Sequence, residues 1–270
     1  MRGYPRNRLT ERPADEVVIT KTTQSRGFTI SYEDTGEGPA VVLIPGLTMS
    51  AADWRDAGYV GQLAVSRRVL NVDPLGNGLS DKPHDPDAYG YPGVAADLVA
   101  VMDAAGVHRA TVWGYSRGAA LALAFATAFP HRTASVILSG GGDLTIDVPK
   151  GSAQSAGSAA LSVGDWEALW SKFDFSKADR RYDVEFNDPR ALGAIGLGAS
   201  RSGVSFGAGQ VRVPALVYIG GNDGPDEERK TADALGVECH VVADLDHLQG
   251  FSRIDLVMPI VLGFLEPLGL

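Results

Sequence analysis

Short apolar runs that stop on glycine or proline alternate with stretches of helical spacing along most of this chain. That alternation constrains the fold more than any other feature. Val17 to Thr22 and Phe28 to Glu33 read as two strands joined by a turn at Gln24-Ser25-Arg26-Gly27. Val41 to Pro45 and Arg68 to Val72 are continuous apolar runs, closed by Pro45-Gly46 and Asp73-Pro74, as strands buried on both faces are. Gly93 to Ala105 has helical spacing, with Val94, Leu98, Val101 and Met102 on one face and Asp97 on the polar side. Further strands are expected at Ala110 to Trp113, Ser135 to Leu138, Val213 to Ile219 and Glu238 to Val242. Further helices are expected at Arg117 to Phe129, Asp226 to Leu235 and Ile254 to Leu265. Eight strands in this order predict an α/β fold, a mostly parallel eight-stranded sheet with helices on both faces. Such a sheet carries its chemistry in loops at the carboxyl ends of its strands.

The alternation breaks between Asp143 and Gln210. The expected organisation is a tail over residues 1–15, a core over 16–142 and 211–270, and an insertion over 143–210. The insertion has Gly/Ser/Ala-rich ends, and Trp166, Leu169, Trp170 and Phe173 share one helical face in its middle. A helical lid over a site is one reading of it, and simple packing of the tryptophans onto the core is another. The two are compatible.

Composition bounds the partners. Asp and Glu number 33 against 24 Lys and Arg, a formal net charge of -9. Such a chain is a poor nucleic-acid binder, because phosphate contacts need a basic face, and nothing draws it to an anionic membrane surface. The single cysteine, Cys239, allows no internal disulfide and no metal site built on several thiolates, and it is expected as a buried strand residue. The arginine-bearing N-terminus has no apolar secretion segment, and no run reaches the roughly 18 apolar residues of a membrane span. A cytoplasmic protein with a small-molecule substrate is the expectation. Nothing in the pattern specifies an oligomeric state.

The chemistry centres on Gly114-Tyr115-Ser116-Arg117-Gly118, which directly follows one expected strand and directly opens an expected helix. A serine at so sharp a turn has its hydroxyl pushed out of the sheet edge, and flanking glycines leave room for the turn. The helix start leaves free N–H groups to face developing negative charge. Gly-x-Ser-x-Gly alone is a weak signal in a chain with 33 glycines. The strand before it and the helix after it make it specific.

Four segments together resemble the α/β-hydrolase fold superfamily, in its serine-nucleophile branch with a small lid. They are Leu43-Ile44-Pro45-Gly46-Leu47, Asp73-Pro74-Leu75-Gly76-Asn77-Gly78-Leu79-Ser80, Gly114 to Gly118, and Asp246-His247. The resemblance runs from about Val17 to the C-terminus. It implies Ser116 as nucleophile and His247, after the last strand, as base. It implies an acid after the strand ending at Ile219, where Asp223 is the first choice. Asp143 is the main rival and Asp226 a weaker one. The N–H groups of Arg117 and Leu47 are the implied oxyanion donors. Pro45 stands where the family's His-Gly segment has histidine, so the turn before Leu47 is braced differently. The Arg117 side chain faces solvent, pairs with an acid or binds a substrate carboxylate, and the first two are expected.

A serine at position 116 argues against the aspartate-based dehalogenases and epoxide hydrolases of this fold. It implies an acyl-enzyme formed on a small carboxylic ester or lactone, with an apolar ligand suggested by the aromatic stripe. Carbon–carbon bond hydrolases, perhydrolases and biosynthetic cyclases or lyases on the same scaffold stay open, as does a ligand-binding protein that keeps the fold without catalysis. No cofactor is implied, since no nucleotide-binding or zinc-protease motif is present. The pocket is expected to draw on the insertion, on the loop after Gly46 with Trp54, and on the loop after Ser80.

Overall fold

The computed structural model describes residues 19–145, 187–202 and 207–270. Eight strands form one sheet: β1 (Thr20–Ser25), β2 (Phe28–Thr35), β3 (Ala40–Ile44), β4 (Arg68–Asp73), β5 (Ala110–Tyr115), β6 (Thr133–Ser139), β7 (Ala215–Gly220) and β8 (Cys239–Val242). Their spatial order is β1-β2-β4-β3-β5-β6-β7-β8. β2 runs antiparallel to β1 and β4, and every later pairing is parallel. The eight helices in chain order are α1 (Ala51–Asp56), α2 (Tyr59–Leu63), α3 (Tyr91–Ala104), α4 (Arg117–Ala128), α5 (Pro189–Ser202), α6 (Pro225–Leu235), α7 (Gln249–Ser252) and α8 (Ile254–Leu265) among the described residues. Short 3-10 turns, one of them at Pro86–Tyr89, link several of them.

The continuous apolar strands are explained by burial on both faces. Val42 and Ile44 of β3 and Val112 of β5 turn to the side covered by α3 and α4, where they meet Leu98, Val101, Leu121 and Phe125. Val41, Leu43 and Trp113 turn to the other side, against Trp54, Tyr59 and Val261. Successive residues of a strand point to opposite faces, so a strand covered twice needs apolar residues throughout. Trp54 is fully buried in this second layer and contacts Tyr59, Trp113 and Phe251 edge-on. It is therefore a core residue and not the pocket wall it was expected to be.

One other expectation changes. Asp97 does not face solvent: it is buried and accepts both Nε (2.8 Å) and Nη2 (2.6 Å) of Arg26. Arg26 and Gly27 both have positive φ, 52° and 86°, as a two-residue hairpin turn of the primed kind demands. The bidentate pair docks that hairpin onto α3. The Gly/Ala-rich stretch near residue 195, given no element from the sequence, is a helix. Asp188 caps α5 by accepting from Arg190 N (2.8 Å), and Leu192 and Ile195 are buried. Gly198 lets this helix approach the 86–89 turn, since a Cβ there would lie 2.4 Å from Pro86 O. The aromatic stripe of Trp166, Leu169, Trp170 and Phe173 lies outside the described residues. Among the described residues no helix is long and apolar enough to cross a membrane.

Candidate active site

The chain leaves β3 towards β4 on one side and returns through β5 on the other, so the sheet order reverses there. The crevice outside the carboxyl ends of such neighbours is where an open α/β sheet binds ligands. The loop after β3 carries Leu47, and the turn after β5 carries Ser116.

Ser116 has φ 56° and ψ -123°, a left-handed conformation that a side chain strains to hold. The surroundings enforce it. A Cβ on Gly114 would lie 2.0 Å from Gly118 O, and one on Gly118 would lie 2.2 Å from Ile44 O. Only glycine at both places lets β5 pass into α4 this tightly against β3. Ser116 N also donates to Ser139 O of β6 (2.7 Å).

His247 reaches this serine from the loop after β8. Its Nε2 lies 3.1 Å from Ser116 Oγ, and its Nδ1 lies 2.8 Å from Asp223 Oδ2. An ionised carboxylate only accepts, so Nδ1 carries the proton and Nε2 is left to accept from the serine hydroxyl. Tyr115 OH donates to the His247 carbonyl and pins the loop. Gly140, with φ 64°, leaves the imidazole its place: a Cβ there would lie 3.0 Å from His247 Cε1. Asp223 sits in a turn closed by its own N–H on Gly220 O (3.0 Å). The rival Asp143 instead accepts from Thr145 N (3.0 Å) and pairs with Lys230 (3.3 Å). Asp226 pairs with Arg229.

The loop after β3 is held by a residue that sequence reasoning quoted without giving it a role. Asn77 is fully buried, and its Nδ2 donates to Leu47 O (2.9 Å), Met49 O (2.8 Å) and Gly46 O (3.3 Å). Asn77 stands in a loop whose other members have separate duties. Asp73 accepts from Ala51 N (2.7 Å) and Leu79 N (2.9 Å), and Ser80 Oγ accepts from Ser31 N (2.8 Å). A Cβ on Gly78 would strike the Asp73 carboxylate at 2.1 Å. Asn187, at the start of the segment leading into α5, donates to Thr48 O (2.6 Å) and ties that segment to the same loop. No acceptor for the N–H of Leu47 or of Arg117 is found among the described residues.

The Arg117 side chain is not free in solvent, and among the described residues it pairs with no acid. It is half-buried, and Nη1 donates to Asn77 Oδ1 (3.0 Å). Burial holds its guanidinium below the usual arginine range. Glu228 on α6 was also unforeseen. It is fully buried, and Oε2 accepts from Gly142 N (2.7 Å), bracing the Gly140–Gly142 turn behind His247. Burial pushes its carboxyl up to about 7. Cys239 is half-buried on β8, and burial raises its thiol to about 11, which leaves it protonated at neutral pH.

The sequence model of the alpha/beta hydrolase fold family matches residues 39–182. The chain belongs to that family. It is 35% identical over 137 residues to a 2-hydroxy-6-oxo-2,4-heptadienoate hydrolase of Pseudomonas putida, a match covering 49% of this chain and 48% of that protein. It is 35% identical over 146 residues to a 2-hydroxy-6-oxo-6-phenylhexa-2,4-dienoate hydrolase of Comamonas testosteroni, covering 50% and 48%. The chain thus spans about half the length of the curated relatives it matches. Among solved structures it is similar to the enol-lactonase of Burkholderia xenovorans, with a TM-score of 0.77 and 23% identity over 91% of this chain and 100% of that one. A likeness at that identity concerns the fold.

Proposed function

We propose that this chain hydrolyses a small carboxylic ester or lactone, with Ser116 as nucleophile, His247 as general base and Asp223 as the acid that orients it. The observation that carries the reading is the hydrogen-bonded line from Ser116 Oγ through the imidazole to Asp223, built on a strained turn. Ser116 Oγ attacks the scissile carbonyl while His247 Nε2 takes its proton. The carbonyl oxygen becomes an oxyanion, and the N–H groups of Leu47 and Arg117 face it. His247 then gives the proton to the departing alkoxide, which leaves an acyl-serine. Water enters, His247 takes one of its protons, and the hydroxide attacks the acyl carbon. Collapse releases the acid and returns the proton to Ser116. Asp223 stabilises the imidazolium in both halves without taking a proton itself.

Turnover of p-nitrophenyl acetate or butyrate, with Ser116→Ala as control, tests this reading. Ester hydrolysis abolished by that substitution supports it. Absence of turnover, together with no labelling of Ser116 by a fluorophosphonate, contradicts it.

A second reading is hydrolysis of a carbon–carbon bond beside a ketone. The names of the two curated relatives favour it, since both are hydrolases of hydroxy-oxo-dienoates. The same triad would serve. A hydroxy-oxo-dienoate turned over much faster than any p-nitrophenyl ester supports this second reading, and the reverse order supports the first.

A further inference from the structure

Arg117 lies one residue beyond Ser116 on the first turn of α4. Its guanidinium is one hydrogen bond from Asn77, whose amide clasps the Leu47 loop. The rings of Tyr89 and Tyr91 lie close enough to feel its charge, and among the described residues no acid acts on it. Three other part-buried arginines hold acids, Arg26 on Asp97, Arg55 on Glu33 and Arg68 on Asp34, while the deeply buried Arg67 holds Ser66 Oγ and the Leu270 carbonyl. In a chain where acids outnumber bases, an arginine beside the nucleophile that meets no acid among the described residues has charge to offer a ligand. One N–H is used on Asn77 Oδ1. Among the described residues no partner is found for the Nε and Nη2 edge. That edge is the planar fork that takes a carboxylate through two parallel hydrogen bonds.

Resting on the triad reading above, we infer that the Arg117 guanidinium is an anion subsite, and that the substrate carries a free carboxylate a few bonds from its scissile carbonyl. The guanidinium does not enter the reaction. It fixes the substrate by its charged end so that the carbonyl falls between Ser116 Oγ and the Leu47 loop. Asn77 serves both ends of this arrangement, since its Oδ1 orients the arginine and its Nδ2 holds the loop. The unreactive charge thereby supplies binding energy that positions the reacting carbon.

The test compares the p-nitrophenyl monoester of glutarate with p-nitrophenyl butyrate, its neutral counterpart. In the native protein kcat/KM favours the glutarate monoester. In Arg117→Met the ratio of the two kcat/KM values falls by about ten- to hundredfold, the range for a lost hydrogen-bonded charge contact. Most of that fall is in KM, and Arg117→Lys recovers part of it. A purely structural arginine would lower both substrates together, and an unchanged ratio in Arg117→Met overturns the inference. A second arm needs neither turnover nor a variant that folds well. Glutarate, and not glutaramide, binds the native protein in a calorimetric titration, and equal behaviour of the two also overturns it. If the native protein binds glutarate but hydrolyses no ester, the triad reading fails while the anion subsite stands.

Discussion

At the scale of single residues, the site depends on strain held in place by glycine. Ser116 occupies a left-handed conformation that costs about 1–3 kcal/mol for a side-chain-bearing residue. Ser116→Gly therefore melts above Ser116→Ala although both are inactive, a difference of about 1 kcal/mol readable by thermal or denaturant unfolding. Equal stabilities would mean that the turn is not strained. Gly114→Ala is the converse case. Its Cβ would meet Gly118 O at 2.0 Å, so the turn must open, with a loss of about 3 kcal/mol or more and loss of activity. Glu228 gives a pH-dependent signature. Its carboxyl is raised from 4.5 to about 7 in the folded protein, so the folded state holds a proton that the unfolded chain releases. Stability from this group is full below pH 4.5 and is lost as pH rises to about 7. Glu228→Gln removes that slope. Relative to the native protein it gains on the order of 3 kcal/mol across this window, measured by unfolding at several pH values. A constant difference across the window would contradict the assignment. Such residues mark the limit of sequence reading. The placement of Ser116 and His247 within reach of each other was legible because motif and neighbouring elements agreed. Glu228 was not, because a glutamate in the first turn of a helix reads as a solvated cap.

At the scale of elements, two contacts decide how the pieces sit. The Arg26 to Asp97 pair fixes the β1–β2 hairpin on α3, with Asp97 1% exposed. Arg26→Met leaves a buried carboxylate without its partner and destabilises by about 3 kcal/mol, and adding Asp97→Leu recovers most of that in unfolding experiments. No recovery in the double substitution would show that the ion pair is not the origin of the loss. The loop after β3 depends on Asn77. Asn77→Ala frees three carbonyls and the Leu47 turn, and kcat falls by about ten- to a hundredfold while the melting temperature falls only modestly. A change in KM alone would contradict a role in holding that loop. The strand and helix order was readable because both sheet faces are covered and the apolar runs are continuous. Asp97 was misread because helical periodicity cannot distinguish a solvated acid from a buried one whose arginine lies 71 residues away. α5 went unassigned because its stretch was read by Gly/Ser/Ala content alone, although Gly198 serves close packing against the 86–89 turn.

At the scale of the whole molecule, the sheet reverses direction between β3 and β5 and brings together groups from loops spread over 200 residues of chain, from Leu47 to His247. Family membership rests on the sequence match over residues 39–182, and the topology sets the loops after β5, β7 and β8, which carry Ser116, Asp223 and His247, at one sheet edge. The substrate does not follow from the topology, because it is set by a few side chains facing the crevice and not by the sheet. The central claim is that Ser116, driven by His247 and Asp223, is a nucleophile. The most direct measurement is intact-protein mass spectrometry after a fluorophosphonate is added to the native protein, Ser116→Ala and His247→Ala. The expected result is one phosphonyl group on Ser116 in the native protein, none in Ser116→Ala, and labelling slowed by at least about a thousandfold in His247→Ala. A native protein that stays unlabelled, or a label that persists in Ser116→Ala, would contradict it.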